Sequence, residues 1–478
     1  MNYKLMLGTT GKTLLLESLF LLVPMVVSLY YGEDPRPFLI TILAVMACGF
    51  GLSLFHSENQ FFAWESFAAV GGIWLLFCLF GALPFYLSGC FHSYLDCLFE
   101  SAAGFTTTGA TVLTDIECLP RGILFWRSFS SWIGGIGILI FTLAFLPNLG
   151  GGAHYLVRAE FPGPVSNKLV PQTARTSKIL YSIYIVFTLS ELFCLRLAGM
   201  PWYHALVTAL STVCTGGFSV LNGSMGQYHL PACEIIITVF LLLSTVNFAV
   251  YYLLITGRGR QILKNDELRL FGGVVLVSTV LVAADIAPLY GSWKETLLTA
   301  LFHVVSIIST TGFTTTDYNA WPELSRWLLL LLMFVGGCAG STAGGLKCSR
   351  VLLLLRCMIR DIRQIAHPRA VKVVKLDGKT VENSDLRAVS SFFVCEVVLI
   401  GVGSLLVSMD NFSFTTTFTS VLACISNIGL GLDGVGPLGN YAAFSDLSKL
   451  LFTFYMLLGR LEIFPLLILF SPSTWHQT

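Results

Sequence analysis

Four short stretches of this chain set hydroxyl side chains directly before a glycine: Thr106-Thr107-Thr108-Gly109, Cys214-Thr215-Gly216-Gly217, Ser309-Thr310-Thr311-Gly312 and Ser426-Asn427-Ile428-Gly429. The chemistry open to such backbone is cation coordination, because rings of carbonyl dipoles can replace the hydration shell of a dehydrated monovalent ion. Glycine tolerates the φ values this needs and leaves room for an ion beside the chain. Small hydroxyl residues in front of it can hydrogen-bond behind the ring. Aligned on the glycines at 109, 217, 312 and 429, the position three before reads Thr, Cys, Ser, Ser and the position two before reads Thr, Thr, Thr, Asn. A register with Gly216 as the glycine of the second stretch is also compatible with the sequence. One such stretch alone reads as an ordinary turn between helices; four in equivalent places read as a pseudo-fourfold pore.

The elements that must position these stretches are apolar helices. The 478 residues are 55% hydrophobic and 12% charged, with a mean hydropathy of +0.77. That is about half the ~25% charged share of soluble domains and implies an all-α polytopic membrane protein. Ten stretches are long and apolar enough to cross a bilayer: 13–31, 38–55, 66–88, 123–146, 179–199, 234–256, 270–289, 327–355, 390–409 and 448–470. The first is longer than the ~7 to 15 residues of a signal core and lacks a small-residue cleavage site, so it is expected to remain as a span. Four segments of about a dozen residues, 91–105, 202–214, 294–309 and 412–426, are too short to cross and read as re-entrant half-helices. Each ends at a glycine stretch, where its C-terminal partial charge of about −0.5 favours a cation.

Lys and Arg set the expected orientation. With both termini inside, 20 of the 28 basic residues face the cytoplasm, including Lys4, Lys12, Arg158, Lys168 and the cluster from Lys347 to Arg387. The outer face receives Asp96, Glu100, Asp115, Glu117, Asp317, Glu323 and Asp433, expected to form an attractive field for cations. No basic stripe interleaved with aromatics occurs, which excludes a nucleic-acid partner. The thirteen cysteines include no Cys-x-x-Cys; Cys90, Cys97 and Cys118 flank an external segment and are candidates to pair.

Two features interrupt the apolar pattern. Gly336-Gly337-Cys338-Ala339-Gly340-Ser341-Thr342-Ala343-Gly344-Gly345 places five glycines in the middle of the eighth span. At ~1 kcal/mol each relative to alanine they should break the helix and form a gating loop below the ring. Close packing by small residues is the competing reading; a phosphate loop is excluded because the Gly-Lys-Ser/Thr order is missing. Arg460 lies in the last apolar run, where a charge is costly and marks function by default. Glu462 beside it is a candidate to neutralise it in a subunit contact. Arg196 and Glu191 are expected to snorkel at a membrane face, and His303 to be packed or hydrogen-bonded rather than a metal ligand.

Enzyme motifs are missing: there is no His-Glu-x-x-His, no Gly-x-Ser-x-Gly and no Gly-x-Ser-Gly. The rival to a pore is a secondary transporter coupling its cation to a second ion by alternating access. Four equal loops favour the pore, whereas two inverted halves would favour the transporter.

The four stretches, in the contexts Gly104-Phe-Thr-Thr-Thr-Gly-Ala-Thr-Val-Leu113, Ser211-Thr-Val-Cys-Thr-Gly-Gly-Phe-Ser219, Ser309-Thr-Thr-Gly-Phe-Thr314 and Ser426-Asn-Ile-Gly-Leu430, resemble the filter loops of the Trk/Ktr/HKT potassium transporter superfamily. Two extra N-terminal spans make the TrkH members the nearest. The resemblance covers nearly the whole chain. It implies a K⁺-conducting pore with filter glycines Gly109, Gly217, Gly312 and Gly429. Coordinating carbonyls would come from Thr107 and Thr108, Thr215 and Gly216, Thr310 and Thr311, and Asn427 and Ile428. It also implies that Arg460 faces the pore beneath the filter, next to a gate formed by Gly336, Gly337, Gly340, Ser341, Thr342, Gly344 and Gly345. The implied division is 1–60 for two N-terminal helices and 61–150, 151–260, 261–365 and 366–478 for four pore repeats. Implied partners are a second copy, cytoplasmic nucleotide-binding subunits of the TrkA type on the basic segment, and membrane lipid. K⁺ would be the transported ion, with no organic cofactor in this chain, in a bacterial inner membrane.

Overall fold

The computed structural model describes residues 3–55, 63–135, 137, 174–255, 257, 259–367 and 372–469. An N-terminal pair comes first: Tyr3–Phe20 continues through Leu22–Tyr30, and Arg36–Ser53 returns against it. Gly11 and Gly49 let the two backbones touch, since a Cβ on Gly11 would lie 2.7 Å from the Gly49 carbonyl oxygen. In lipid, where helices gain no hydrophobic drive, such close contact supplies the packing energy.

Four copies of one unit follow, each an outer helix, a short pore helix, a loop and an inner helix. The outer helices are Ala63–Gly81, Ala174–Leu197, Asp266–Ile286 and Asn383–Val407. The pore helices are Tyr94–Phe105, Trp202–Val213, Trp293–Ile308 and Phe414–Ile425. At 12 to 16 residues they rise about 18 to 24 Å, too little to cross a ~30 Å core. Ser93 and Ser413 cap the first and fourth by accepting the N–H three residues on. A two-stranded hairpin, Lys375–Leu376 against Lys379–Thr380, precedes the last outer helix.

The inner helices differ from the expected continuous spans. Arg121–Gly135, Pro231–Thr245, Glu323–Val335 and Asp446–Arg460 are 13 to 15 residues long, about 20 to 22 Å. The second resumes as Phe248–Ile255 after an 87° bend, the third as Cys348–Ala366 beyond the glycine loop, and the fourth as Phe464–Leu469. Only the break in the third was expected. Val246-Asn247 and Leu461-Glu462-Ile463 carry no glycine or proline, so nothing local announces those breaks. As a result six helices among the described residues, or seven with the bent pair counted as one span, are long and apolar enough to cross a membrane, against ten expected. The end of the fourth expected span and most of the 148–178 loop, with Arg158 and Lys168, lie outside the described residues.

Two further expectations change, and the open question of a disulfide is answered. Glu191 is fully buried and does not snorkel, whereas Arg196 is exposed and lies over the Trp202 ring. Glu100 and Asp96 do not contribute free charge to an outer field, because each is held in an ion pair described below. Cys90, Cys97 and Cys118 are all free thiols.

Candidate functional site

All four pore helices end in one way. The residue after each cap, Thr107, Thr215, Thr310 or Asn427, is left-handed with φ between 54 and 57°. Its N–H donates to the carbonyl three residues back, and the next N–H donates to the carbonyl five back, from Thr108 to Ala103, Gly216 to Ser211, Thr311 to Ser306 and Ile428 to Ala423. This is a Schellman ending, which ordinarily uses glycine at the left-handed position. Threonine there costs about 1–2 kcal/mol per residue, so the surroundings must hold it. Two residues on, Gly109, Gly217, Gly312 and Gly429 return to positive φ of 72 to 79°. Alternating the sign of φ turns successive carbonyls toward one side of the strand.

These glycines close the ring. A Cβ on Gly109 would strike the carbonyl oxygen of Gly216, one on Gly217 that of Thr311, one on Gly312 that of Ile428, and one on Gly429 that of Thr108. Every loop therefore lies against the next, in cyclic order, and any side chain larger than hydrogen would push a carbonyl aside. The pattern also resolves the register of the second loop, since Gly217 occupies the glycine position and Gly216 supplies the carbonyl. A second cycle lies two residues further on. Thr111 O accepts from Tyr441 N at 2.9 Å, Ser219 O from Arg127 Nη1 at 3.4 Å, Thr314 O from Met225 N at 3.0 Å, and Gly431 O from the Tyr318 hydroxyl at 2.8 Å. In each case the donor belongs to the preceding unit.

Behind the ring the supports differ. Thr106 and Ser309 hydroxyls hydrogen-bond Thr108 and Thr311 at 2.7 and 2.8 Å. Arg127, almost fully buried, pairs with Glu100 at 2.7 Å, and Glu100 accepts from Thr111 and from the Val112 N–H. Lys449 of the fourth inner helix pairs with Asp96 at 2.7 Å. His303 accepts the Thr315 N–H at 3.4 Å, and Thr419 accepts that of Leu432 at 3.0 Å. His303 is thus a packed, hydrogen-bonded residue, and the described residues hold no cluster of three metal-ligating side chains.

Beneath the ring lies the glycine loop, folded back on itself. Gly336 and Gly345 face one another so closely that a Cβ on either would sit 3.0 Å from the other's Cα. The loop docks into the bend of the second inner helix: Cys338 N donates to Thr245 O at 3.2 Å and Phe248 N to Gly340 O at 3.0 Å. Gly337 packs on the Thr245 methyl and Gly340 on the Asn247 amide. Ser341 bonds back to Cys338 O, and the Thr342 hydroxyl donates to Val213 O or Ser244 O. Gly344 N donates upward to the Thr310 hydroxyl at 2.7 Å. Glu267, from the third outer helix, accepts Ala339 N and Ser349 N and so ties both ends of the loop. Lys347 Nζ donates to Ala343 O, and Arg350 pairs with Glu462.

Arg460 completes this layer. Its guanidinium donates to Gly134 O at 2.6 Å, Gly135 O at 2.5 Å, Thr342 O at 2.9 Å and Thr107 Oγ1 at 3.3 Å. It therefore bonds the fourth unit to the end of the first inner helix, the glycine loop and the first ring stretch. The helix end at Gly135 presents its carbonyls, a favourable partner for a cation. Glu462 is the ion-pair partner of Arg350. A cavity of about 30 Å³ lies within this layer, among Gly340, Gly344, Lys347, Gly459 and Arg460, against about 260 Å³ in the cavity lined by the ring residues Gly109, Gly217, Gly312 and Ile428.

All the ring and loop residues singled out in the sequence meet in these two stacked layers. Asn247 and Glu267 were missed. Asn247 sits in a helix break without sequence signature, and Glu267 has the sequence setting of an ordinary first-turn acid.

The TrkH family, described as cation transport protein, matches residues 37–288 and 291–477. The chain is 36% identical to the Trk system potassium uptake protein TrkH of Salmonella typhimurium, covering 100% of both sequences. It is 36% identical to the Trk system potassium uptake protein TrkG of Escherichia coli, over 97% of this chain and 96% of that one. The crystal structure of the potassium transporter TrkH from Vibrio parahaemolyticus superposes with a TM-score of 0.89, at 33% identity and over 100% of both chains.

Proposed function

The chain belongs to the TrkH family of cation transport proteins, and on that premise we propose that it takes up potassium through a K⁺-selective pore. The filter is the ring of Gly109, Gly217, Gly312 and Gly429 with the carbonyls of Thr107, Thr108, Thr215, Gly216, Thr310, Thr311, Asn427 and Ile428. The gate is the loop from Gly336 to Gly345 with Arg460. The observation that carries this reading is the cyclic contact of each glycine with the next loop's carbonyl oxygen, which favours one central axis lined by backbone oxygens. Four equivalent loops support a continuous path more than alternating access between two inverted halves. The chain is a transporter and not an enzyme.

In this reading a cation sheds water in the ring and stops below it, where the guanidinium and the glycine loop fill the path. Opening requires Arg460 to leave four acceptors and the loop to leave the bend at Asn247. The four units follow the division 61–150, 151–260, 261–365 and 366–478. Assembly as a homodimer is supported by an exposed apolar stripe on Cys348–Ala366, formed by Leu355, Met358, Ile359, Ile362 and Ile365 at helical spacing. Basic residues beside it would receive cytoplasmic regulatory subunits of the TrkA type, or anionic lipid. The setting is a bacterial inner membrane with both termini in the cytoplasm, and K⁺ is the cargo.

The test is ⁸⁶Rb⁺ uptake into liposomes containing this chain, beside Gly312→Asp checked for fold by gel filtration. Uptake driven by a K⁺ gradient, weak competition by Na⁺ and loss in the variant support the pore. Flux that demands a gradient of H⁺ or Na⁺ would replace it with coupled transport.

A further inference from the structure

The four loops share a backbone path but not what holds it, and the second is held least. A hydroxyl pair braces the first and third, Thr106 with Thr108 and Ser309 with Thr311, and in the fourth the Asn427 amide donates to Thr108 Oγ1 and Met456 O. The second has Cys214 and Gly216 where the hydroxyl pair would stand. Gly109, Gly312 and Gly429 donate their N–H to the carbonyl six residues back, at 3.1, 3.3 and 3.5 Å, and Gly217 makes no such bond. The Ser306 hydroxyl donates to Phe313 O at 2.7 Å. Ser211, at the equivalent position, has a buried hydroxyl with no partner among the described residues. The bond from the preceding unit, Arg127 to Ser219 O, is the longest of its four at 3.4 Å. From below, Thr342 of the glycine loop lies 3.4 Å from the Thr215 hydroxyl and 3.2 Å from Val213 O.

Behind this loop stands an acid that the transport reading does not use. Glu191, on the outer helix Ala174–Leu197, is fully buried, and neither carboxyl oxygen has a hydrogen-bond partner among the described residues. It faces the C-terminal end of the second pore helix, beside the Thr212 hydroxyl and the Cys214 thiol. Both of those donors are directed into their own helix, Thr212 to Thr208 O at 2.9 Å and Cys214 to Ser211 O at 3.3 Å. A buried carboxyl that meets no donor is costly, and at membrane depth it marks function by default. Threonine divides between two χ1 rotamers in a helix, so Thr212 can turn its hydroxyl from Thr208 O to Glu191.

We propose that Glu191 is the positioning residue of the second loop and, through it, a determinant of which cation the ring accepts. When the glycine loop withdraws and Thr342 no longer supports Thr215, the Thr212 hydroxyl and the Cys214 thiol turn to the Glu191 carboxyl. The carboxyl then holds the yielding side of the ring in line with the other three. A ring favours one monovalent ion over another only while its carbonyls keep their number and spacing around that ion, so the least-braced loop sets the limit. In the state described here Thr342 supports the loop from below, and the carboxyl stands without a partner. The inference rests on the reading of the four loops as a filter and of the glycine loop as its gate.

The experiment measures ⁸⁶Rb⁺ uptake into liposomes against Rb⁺ concentration and against competing Na⁺, with full-length protein and variants checked by thermal unfolding. Glu191→Leu should unfold no lower than wild type, because it removes a buried carboxyl that has no partner. Maximal uptake should nevertheless fall and Na⁺ compete about tenfold better, the size of one lost buried hydrogen bond. Glu191→Gln, which still accepts from Thr212, should restore wild-type competition. Thr212→Val should reproduce Glu191→Leu, and the double variant should be no worse than either alone, since the same bond is lost in all three. Unchanged Na⁺ competition in Glu191→Leu, an equal loss in Glu191→Gln, or effects that multiply in the double variant overturn the inference. If Glu191→Leu does not fold, unchanged competition in Thr212→Val overturns it alone. A Gly312→Asp variant that keeps the wild-type discrimination against Na⁺ overturns the filter reading beneath it instead.

Discussion

The ring and the layer below it are built on opposite plans. Each pore helix ends with the same pair of hydrogen bonds, the same left-handed residue and a glycine against its neighbour's carbonyl. The inner helices a few residues deeper stop in four ways: at Gly135, at the 87° bend around Asn247, in the loop from Gly336 and at Leu461. On the proposed function, backbone symmetry persists where an ion would be surrounded, because coordination needs oxygens at equal distances on every side. It is lost at the proposed gate, because one loop and one arginine would suffice to block a path lined by four chain segments. The fourfold part tolerates varied side chains, as the run Thr, Thr, Thr, Asn demonstrates. The asymmetric part depends on single side chains.

The strongest way to break this contrast is to attack the symmetric layer through one of its asymmetric supports. Arg127 holds Glu100 and Thr111 of its own unit and Ser219 of the next. Arg127→Leu strands a buried carboxylate and should cost about 3–5 kcal/mol, read as a fall in the unfolding midpoint in detergent. Adding Glu100→Leu should recover part of that loss. Next in size, Gly217→Ala should cut ⁸⁶Rb⁺ uptake by about 100-fold, since a Cβ at positive φ and against a carbonyl costs a few kcal/mol. Gly216→Ala meets only the side chains of Cys214 and Ser131 and should lose under about tenfold, because side chains can give way more cheaply than backbone. If Gly216→Ala were the worse of the two, the register of the second loop would be wrong.

In the lower layer the sign reverses. Arg460→Ala should raise basal flux about tenfold, as removal of one partly buried charge from the proposed pore lowers the barrier by more than about 1 kcal/mol. A drop in flux with the fold intact would make the arginine a strut of the conducting state. The smallest effect belongs to Tyr318→Phe, which removes one of the four inter-unit bonds and should cost about 1 kcal/mol. The difference should appear in thermal unfolding, with the K⁺/Na⁺ uptake ratio changing by less than about twofold.

Much of the symmetric layer was legible in the chain itself. Short apolar segments followed by hydroxyl residues and glycine mark a re-entrant turn wherever they occur, because membrane depth admits irregular backbone only inside protein or beside water. The register of the second loop was not legible, since Gly216 and Gly217 are interchangeable until the Thr311 carbonyl lies against one of them. The break at Gly336–Gly345 was visible for the same local reason that the loops were. Those at Asn247 and Glu462 were hidden because ordinary helix-compatible residues are bent there by partners distant in sequence. Asp96 and Glu100 read as free external acids for a related reason: Lys449, the partner of Asp96, is 353 residues away.

Apolar periodicity, half-length helices and glycine placement are local properties, and by themselves they determined a helical membrane protein with four loops of one kind and a weak point in the third inner helix. Tertiary structure alone decided which carbonyls meet which glycines, that the loop seats in a neighbouring bend, and that Arg460 reaches Thr107, 353 residues earlier. A hydrogen bond between such positions leaves no trace in spacing or composition. It exists only because closing four units around one axis brings the last inner helix against the first.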